Sequence, residues 1–314
     1  MRMKALTINQ FGGPEQLRIQ EVAIPPAGPG EILVRIHAAA VNPVDYKIRN
    51  GSMKFISGKK FPRILGGDIA GTVEQSPKKS PYRPGDKVFA MLSIKGGGYA
   101  EFTTVRESHL CHIPEGLSMT EAASVPLAAL TALQAFRKEG GVKPGDRVLI
   151  NGASGGVGSF AVQIAKAQGA YVTAVCSARN TEFVKDLGAD RVIDYNSEDF
   201  TKISTRFNRI LDAVAKSSFR KCSKILEKGG LYVSTIPNNG LFFYQALNFL
   251  RSKKAGFIMV RPSGGDLMII ADYIKKGLVR PFVQQTFPLE EGARAHEIIE
   301  SERVRGKIVL SVIP

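Results

Sequence analysis

The chain has 314 residues, 44% hydrophobic and 23% charged, with 43 Lys and Arg against 28 Asp and Glu for a formal net charge of +15. That length exceeds one small core and suits two domains, and the composition is that of an ordinary soluble, globular protein. No apolar run approaches the roughly 18 residues of a membrane helix, and Cys111, Cys176 and Cys222 stand singly, which argues against a disulfide framework or a multi-cysteine zinc site.

The basic excess invites a nucleic-acid reading, but the cations are spread along the chain. The densest clusters, Lys59-Lys60, Lys78-Lys79 and Arg251-Ser252-Lys253-Lys254, are short and lack interleaved aromatics. A solvated basic surface explains them better. The opening MRMKALTINQFGG lacks the apolar core of a signal peptide, which predicts a cytoplasmic protein.

In chain order, the first third reads as β-rich. ILVRIHAAAV (32–41) follows the turn-rich PPAGPG (25–30), and GTVEQ (71–75), DKVFAML (86–92) and AEFTTV (100–105) are short strands between Gly and Pro clusters. Such spacing predicts a compact, barrel-like β domain. At Thr120, taken as an N-cap, an Ala- and Leu-rich helix begins (TEAASVPLAALTALQAFRKEG), and strands and helices then alternate. Strands are expected at 147–151, 171–176, 191–195, 209–214, 231–236 and 257–260. Helices are expected at 157–169 and 181–187, over KSSFRKCSKILEKGG up to Gly229, and over LMIIADYIKKG. Repeated βα units imply a mostly parallel sheet covered on both faces. The last strand could rejoin the first domain.

NGASGGVG (151–158) lies between a strand and a helix, the setting a dinucleotide loop requires. Within it, Ser154, Gly155, Gly156, Val157 and Gly158 are the candidate cofactor-binding residues. Gly155 falls where backbone must approach the phosphates, and Gly158 where the helix packs on its strand. Ala153 replaces the usual first glycine. The second strand ends Cys176-Ser177-Ala178-Arg179-Asn180 without the carboxylate that would bind the ribose hydroxyl of NAD. Ser177 and the guanidinium of Arg179 suit a 2′-phosphate, which points to NADPH.

The blocks AVNPVDYKIRNG (40–51), GGDIAGTV (66–73), GDKVFAM (85–91), GGGYAEF (96–102), LAALTALQAF (127–136), NGASGGVG (151–158), GADRVIDY (188–195) and RGKIVL (305–310) together resemble the medium-chain dehydrogenase/reductases, specifically their zinc-free quinone oxidoreductase branch, which includes zeta-crystallin. The resemblance covers essentially the full length. It implies an α/β protein in which a GroES-like β-barrel domain (1–122, completed by 285–314) is joined to a doubly wound Rossmann domain (123–284). It also implies that Asn42 and Thr131 lie near the nicotinamide or its ribose, and that Tyr195 joins Ser177 and Arg179 at the 2′-phosphate. Asp45 matches an aspartate of the family's cleft, either orienting its neighbours or capping a turn after Pro43.

The departures from the pattern also carry information. Asn42 and Gly67 stand where zinc alcohol dehydrogenases place a metal-binding cysteine and histidine, and the four-cysteine structural loop is absent. His109-Leu110-Cys111-His112 is the one metal-like spacing left, in an extended segment whose alternate residues face opposite ways, so no metal is expected. Many quinone oxidoreductases carry a tyrosine two residues beyond the aspartate, whereas here Tyr46 follows directly and Lys47 comes second. Asp45, Tyr46 and Lys47 are thus the catalytic candidates, with Tyr46, Lys47 or water as proton source. The expected chemistry is hydride transfer from NADPH to a quinone or another activated carbonyl, or to the C=C bond of an enone. A competing reading of another class is an NADPH-binding protein with a mainly RNA-binding role. The stretch LFFYQALNFL (241–250) lines an acceptor pocket, packs at a domain interface or forms a subunit contact, and a homodimer paired through the Rossmann domain stays open.

Overall fold

A computed structural model describes residues 1–313. The chain divides into two compact units. One comprises Met1–Leu130, Arg261–Lys275 and the chain from Pro281 on; the other comprises Thr131–Val260 and Lys276–Arg280.

The first unit opens with strands β1 (Arg2–Ile8), β2 (Arg18–Ala23) and β3 (Glu31–Val41), then helices α1 (Pro43–Arg49) and α2 (Lys54–Ser57). Strands β4 (Arg63–Ile64), β5 (Asp68–Gln75), β6 (Lys87–Met91), β7 (Phe102–Arg106) and β8 (Leu110–His112) follow, ahead of helix α3 (Met119–Ala123). Helix α4 (Pro126–Phe136) comes next. The single helix expected from Thr120 is therefore two. Pro126 has no N–H and disfavours a helical residue before it, so the first segment stops and a new one starts at the proline. The cap is Ser118 rather than Thr120, because only Ser118 places Glu121 at the third helical position. There the two form a reciprocal capping box, with Glu121 N–H on Ser118 Oγ at 3.2 Å and Ser118 N–H on the Glu121 carboxylate at 3.0 Å.

The second unit alternates strands and helices except between its third and fourth strands, which no α-helix separates. Its elements are β9 (Arg147–Asn151), α5 (Gly156–Ala167), β10 (Tyr171–Cys176), α6 (Thr181–Asp186), β11 (Arg191–Asp194), β12 (Phe207–Asp212), α7 (Phe219–Cys222), β13 (Leu226–Ser234), α8 (Asn239–Ala246) and β14 (Lys254–Phe257). All neighbouring strands are parallel, in the order β11-β10-β9-β12-β13-β14. This is the doubly wound arrangement, with its switch point between β9 and β12. Two expectations fail here. The helix foreseen up to Gly229 is one short turn, α7, because β13 already pairs at Leu226 with Phe207 of β12. The strand foreseen at 257–260 lies earlier, since Lys254–Phe257 is the segment in register with Leu231–Ser234.

The chain then returns to the first unit through α9 (Gly264–Lys275), β15 (Val283–Pro288), α10 (Gly292–Glu300) and β16 (Lys307–Ser311). β16 inserts between β15 and β3, so that the sheet runs β15-β16-β3-β5-β6-β8 with β7 also on β3; a smaller sheet runs β2-β1-β4. Leu6, Ile8, Ile32, Ile36, Ile69, Val88, Ile308 and Leu310 form one continuous apolar core there, to which the last strand contributes directly. A GroES-like β unit and a parallel α/β unit therefore make up the fold, as expected. Among the described residues no helix is long and apolar enough to cross a membrane.

Candidate active site

In the second unit, the loop after β9 makes its turn at Gly152, whose φ of +79° lies in the left-handed region that suits glycine. The left-handed turn residue is thus Gly152, one position before Ala153, where the loop pattern places its first glycine, and Ala153 is buried without a positive φ. Gly158 has the opposite constraint. A Cβ there would come within 2.1 Å of the Gly152 carbonyl oxygen and 2.7 Å of Ala153 Cα, so α5 can lie this close to the loop only without a side chain. At Gly155 the nearest atom would be 3.5 Å away, an ordinary contact. Gly155 is the N-cap of α5 and offers no side-chain oxygen to the first helical amides. A twelve-residue helix that starts uncapped on half-buried Gly156 and Val157 presents N–H groups and the positive end of its dipole to an anion.

The end of β10 completes this region. Gly152 and Ala153 N–H both donate to Val175 O at 3.0 Å, which holds the loop against that strand. Asn180 Nδ2 donates to Ser154 Oγ at 3.0 Å and Ser177 Oγ at 3.3 Å, bridging the glycine loop and the strand end. Nothing local in Cys176-Ser177-Ala178-Arg179-Asn180 marks Asn180; its link to Ser154, 26 residues away, exists only in three dimensions. Cys176 pairs with Asp194, and Tyr195 N–H donates to Cys176 O at 3.2 Å. The Tyr195 ring, 58% exposed, therefore stands beyond the same end of the sheet as Ser177 and the exposed Arg179. Ser154, Ser177, Arg179 and Tyr195 are brought together. Thr131 is buried in α4.

At the switch point, Asn151 Nδ2 donates to Asp212 at 2.9 Å, Tyr232 Oη donates to the same carboxylate at 2.8 Å and Ser217 N–H at 2.8 Å. This buried cluster ties the ends of β9, β12 and β13 together.

In the first unit, β3 ends at Val41 and Asn42 caps α1, with Pro43 at the first helical position. The Asp45 carboxylate reaches back to Asn42 N–H at 2.8 Å, closing a capping box. Asp45 is only 2% exposed, whereas its neighbours Tyr46 and Lys47 are half-buried, with the Lys47 ammonium 6.0 Å from the Tyr46 ring centroid. The three catalytic candidates therefore separate: Asp45 faces inward, and Tyr46 and Lys47 keep surface that a ligand can reach.

Asp45 belongs to a buried polar network. Asn42 Oδ1 accepts from Lys307 Nζ, and Asn42 Nδ2 donates to Asp68 at 3.0 Å. Lys307 and Asp68 pair at 3.5 Å, and the other Asp68 oxygen accepts Leu127 N–H at 2.8 Å in the first turn of α4. Tyr99 Oη donates to Asp45 at 3.1 Å and meets His296 Nε2 at 3.3 Å; Arg49 Nη1 meets His296 Nδ1 at 3.1 Å, and Arg49 Nη2 pairs with Glu300. Burial pushes the Asp45 carboxyl up to about 7, with Asp68 adding repulsion against the hydrogen bonds from Asn42 and Tyr99. Burial likewise raises Asp68 and lowers Lys307, and each one's charge opposes the shift of the other. Burial, reinforced by Arg49, holds His296 down at about 3, so it is neutral.

Asp68, Tyr99 and Lys307 carried no assigned role in the sequence, although GGDIAG, GGGYAEF and RGKIVL each contain one. His296 had a fainter signal, a titratable residue on the same face of α10 as buried Ile299. Among the described residues no group of three or more His, Cys, Asp or Glu side chains could hold a metal ion.

Two family profiles match the chain: an alcohol dehydrogenase GroES-like domain over residues 28–115 and a zinc-binding dehydrogenase over residues 187–310. NAD(P)H oxidoreductase RTN4IP1, mitochondrial, of Homo sapiens is 36% identical over 99% of this chain and 89% of the relative. The chloroplast envelope quinone oxidoreductase homolog of Arabidopsis thaliana is 34% identical over 98% of each. Among solved structures, the quinone oxidoreductase from Coxiella burnetii superposes with a TM-score of 0.90 at 33% identity, covering all of both chains. The cytoplasmic expectation is corrected by these relatives, which are named as mitochondrial and chloroplast-envelope proteins. It rested on the lack of an apolar leader, and that feature bears on secretion alone, because organellar transit peptides are amphipathic and have no such core.

Proposed function

The chain belongs to the medium-chain dehydrogenase/reductase family and is an oxidoreductase with a nicotinamide cofactor, and on that premise we propose that it passes hydride from NADPH to a quinone or another activated carbonyl acceptor, enones included. The observation that carries the cofactor choice is the end of β10. Ser177 and Arg179 stand there with Tyr195 beside them and no carboxylate on the strand end itself, an arrangement that attracts a 2′-phosphate. The residues present fit the group. An uncapped α5 takes the pyrophosphate, Gly155 leaves room for it, and Asn180 holds Ser154 and Ser177 in one frame.

When bound, NADPH supplies the hydride. The chain's part is to orient the acceptor and to meet the negative charge that develops on its oxygen. Lys47 brings a cation and Tyr46 a phenolic donor on the reachable face of α1; either stabilises that charge or delivers a proton to it, with water as a further source. The names of the relatives favour quinones as acceptors and an organelle as the setting.

The test is NADPH consumption with a panel of quinones and enones, followed by Arg179→Asp. A charge-assisted contact of this kind is worth about 10- to 100-fold, so the variant's preference for NADPH over NADH is expected to fall by that order. An unchanged NADPH/NADH ratio would remove the basis for NADPH, and no turnover with any acceptor would remove the proposed reaction.

A further inference from the structure

We propose that Lys307, Asp68 and Tyr99 are positioning residues for hydride transfer: Lys307 and Asp68 clamp the two ends of the Asn42 amide and Tyr99 holds Asp45, so that α1 presents Tyr46 and Lys47 in a single orientation. This rests on the reaction proposed above.

The clamp is directional. Asn42 Oδ1 faces an ammonium and its Nδ2 faces a carboxylate. A flipped amide would set N–H against Lys307 and oxygen against Asp68, two repulsive contacts, so one orientation survives. The second anchor is directional as well. A guanidinium only donates, so the His296 Nδ1 that meets Arg49 must accept, and the ring proton sits on Nε2. His296 then donates to Tyr99 Oη, leaving the Tyr99 hydrogen for Asp45. Every proton from Arg49 to Asp45 has one place.

Helix capping does not account for this construction. Asn42 and Asp45 close the capping box between themselves and need neither Lys307 nor Asp68. An apolar pair at those positions would fill the same space without the cost of burying charge. Instead the last strand delivers a lysine that is 3% exposed to the first residue of α1. Asp68 also fastens the first turn of α4, the helix that carries Thr131. The groups facing Asp45 are Asp68 on β5, Tyr99 before β7 and Lys307 on β16, with His296 on α10 and Arg49 on α1 behind Tyr99. Lys307 lowers the proton affinity of Asp45 and Asp68 raises it.

Those opposite signs give the experiment. Full-length wild-type protein, Lys307→Met, Lys307→Arg and Asp68→Asn are compared in NADPH turnover with the quinone panel from about pH 5.5 to 9, in NADPH affinity by fluorescence titration, and in the Asp45 carboxyl titration by NMR with 13C-labelled aspartate. In Lys307→Met, kcat falls about tenfold to a hundredfold while NADPH affinity holds, the Asp45 titration and the acid limb of the rate move to higher pH, and Lys307→Arg recovers part of the loss. In Asp68→Asn the titration and the limb move to lower pH. A merely structural disturbance does not move two variants in opposite directions. An Asp45 titration that stays near 7 in both variants, or a wild-type kcat and pH profile in Lys307→Met, overturns the proposal. Should Lys307→Met fail to fold, Lys307→Arg and Asp68→Asn decide it. Should the wild type turn over no acceptor, the reaction is wrong, and the carboxyl titration alone still tests the clamp.

Discussion

At the scale of single residues, the first unit encloses a small set of charges. Asp45, Asp68, Lys307 and Arg49 are each at most 3% exposed, and every one has a partner of opposite charge or a fixed dipole. Burial also makes stability depend on pH. Asp45 titrates near 7 in the folded protein against 3.8 unfolded, so between these values the native state binds the proton more tightly. Its contribution is therefore lost as pH rises from about 4 to 7. His296 acts the other way. Held near 3 against 6.5, it withdraws stability as pH falls through that window, because the unfolded state takes the proton that the folded ring refuses. Asp45→Asn separates the two. Measured by denaturant midpoint, wild type is expected to lose stability relative to the variant from about pH 4 to 7, and a difference independent of pH would contradict the placement of the carboxyl.

At the scale of elements, two glycines of one loop do different work. Gly158→Ala drives a Cβ into the backbone of Gly152 and Ala153, where no flexible side-chain end can give way. It is expected to destabilise the protein by about 1–3 kcal/mol, seen as a lower denaturant midpoint. Gly155→Ala meets nothing closer than 3.5 Å and is expected to leave that midpoint in place while weakening NADPH binding, because its Cβ occupies the space of the approaching phosphate. Equal effects of both substitutions on stability would show that Gly155 is also a packing glycine. The strand–loop–helix context was readable from residues 147–169, since periodicity and glycine spacing are local properties. Local pattern failed at 216–229, where the Lys-rich stretch reads as helix. Pairing of Leu226 with Phe207 decides that segment, and the gain comes from a neighbouring strand nineteen residues away.

At the scale of the whole molecule, the last strand completes the first unit. β16 lies between β15 and β3, with Leu310 opposite Ala39, and carries Ile308 and Leu310 into the core as well as Lys307 to Asn42. A chain ending at residue 304 would lose an interior strand and the buried cation together. It is expected to expose the first unit to proteolysis while the parallel sheet of Thr131–Val260 stays protected; a protease pattern like that of the intact chain would refute this. By itself the sequence determined the two-part architecture, the glycine loop and the acid-free end of β10, because each is written in contiguous residues whose spacing matches a backbone geometry. It also singled out Asn42, Asp45, Tyr46 and Lys47 as one run. Only the tertiary structure decided that Asp45 turns inward while Tyr46 and Lys47 do not, and that Lys307, 265 residues downstream, holds the amide of Asn42. Hydrogen bonds and desolvation depend on which groups folding encloses together, and no local spacing in the chain encodes that enclosure.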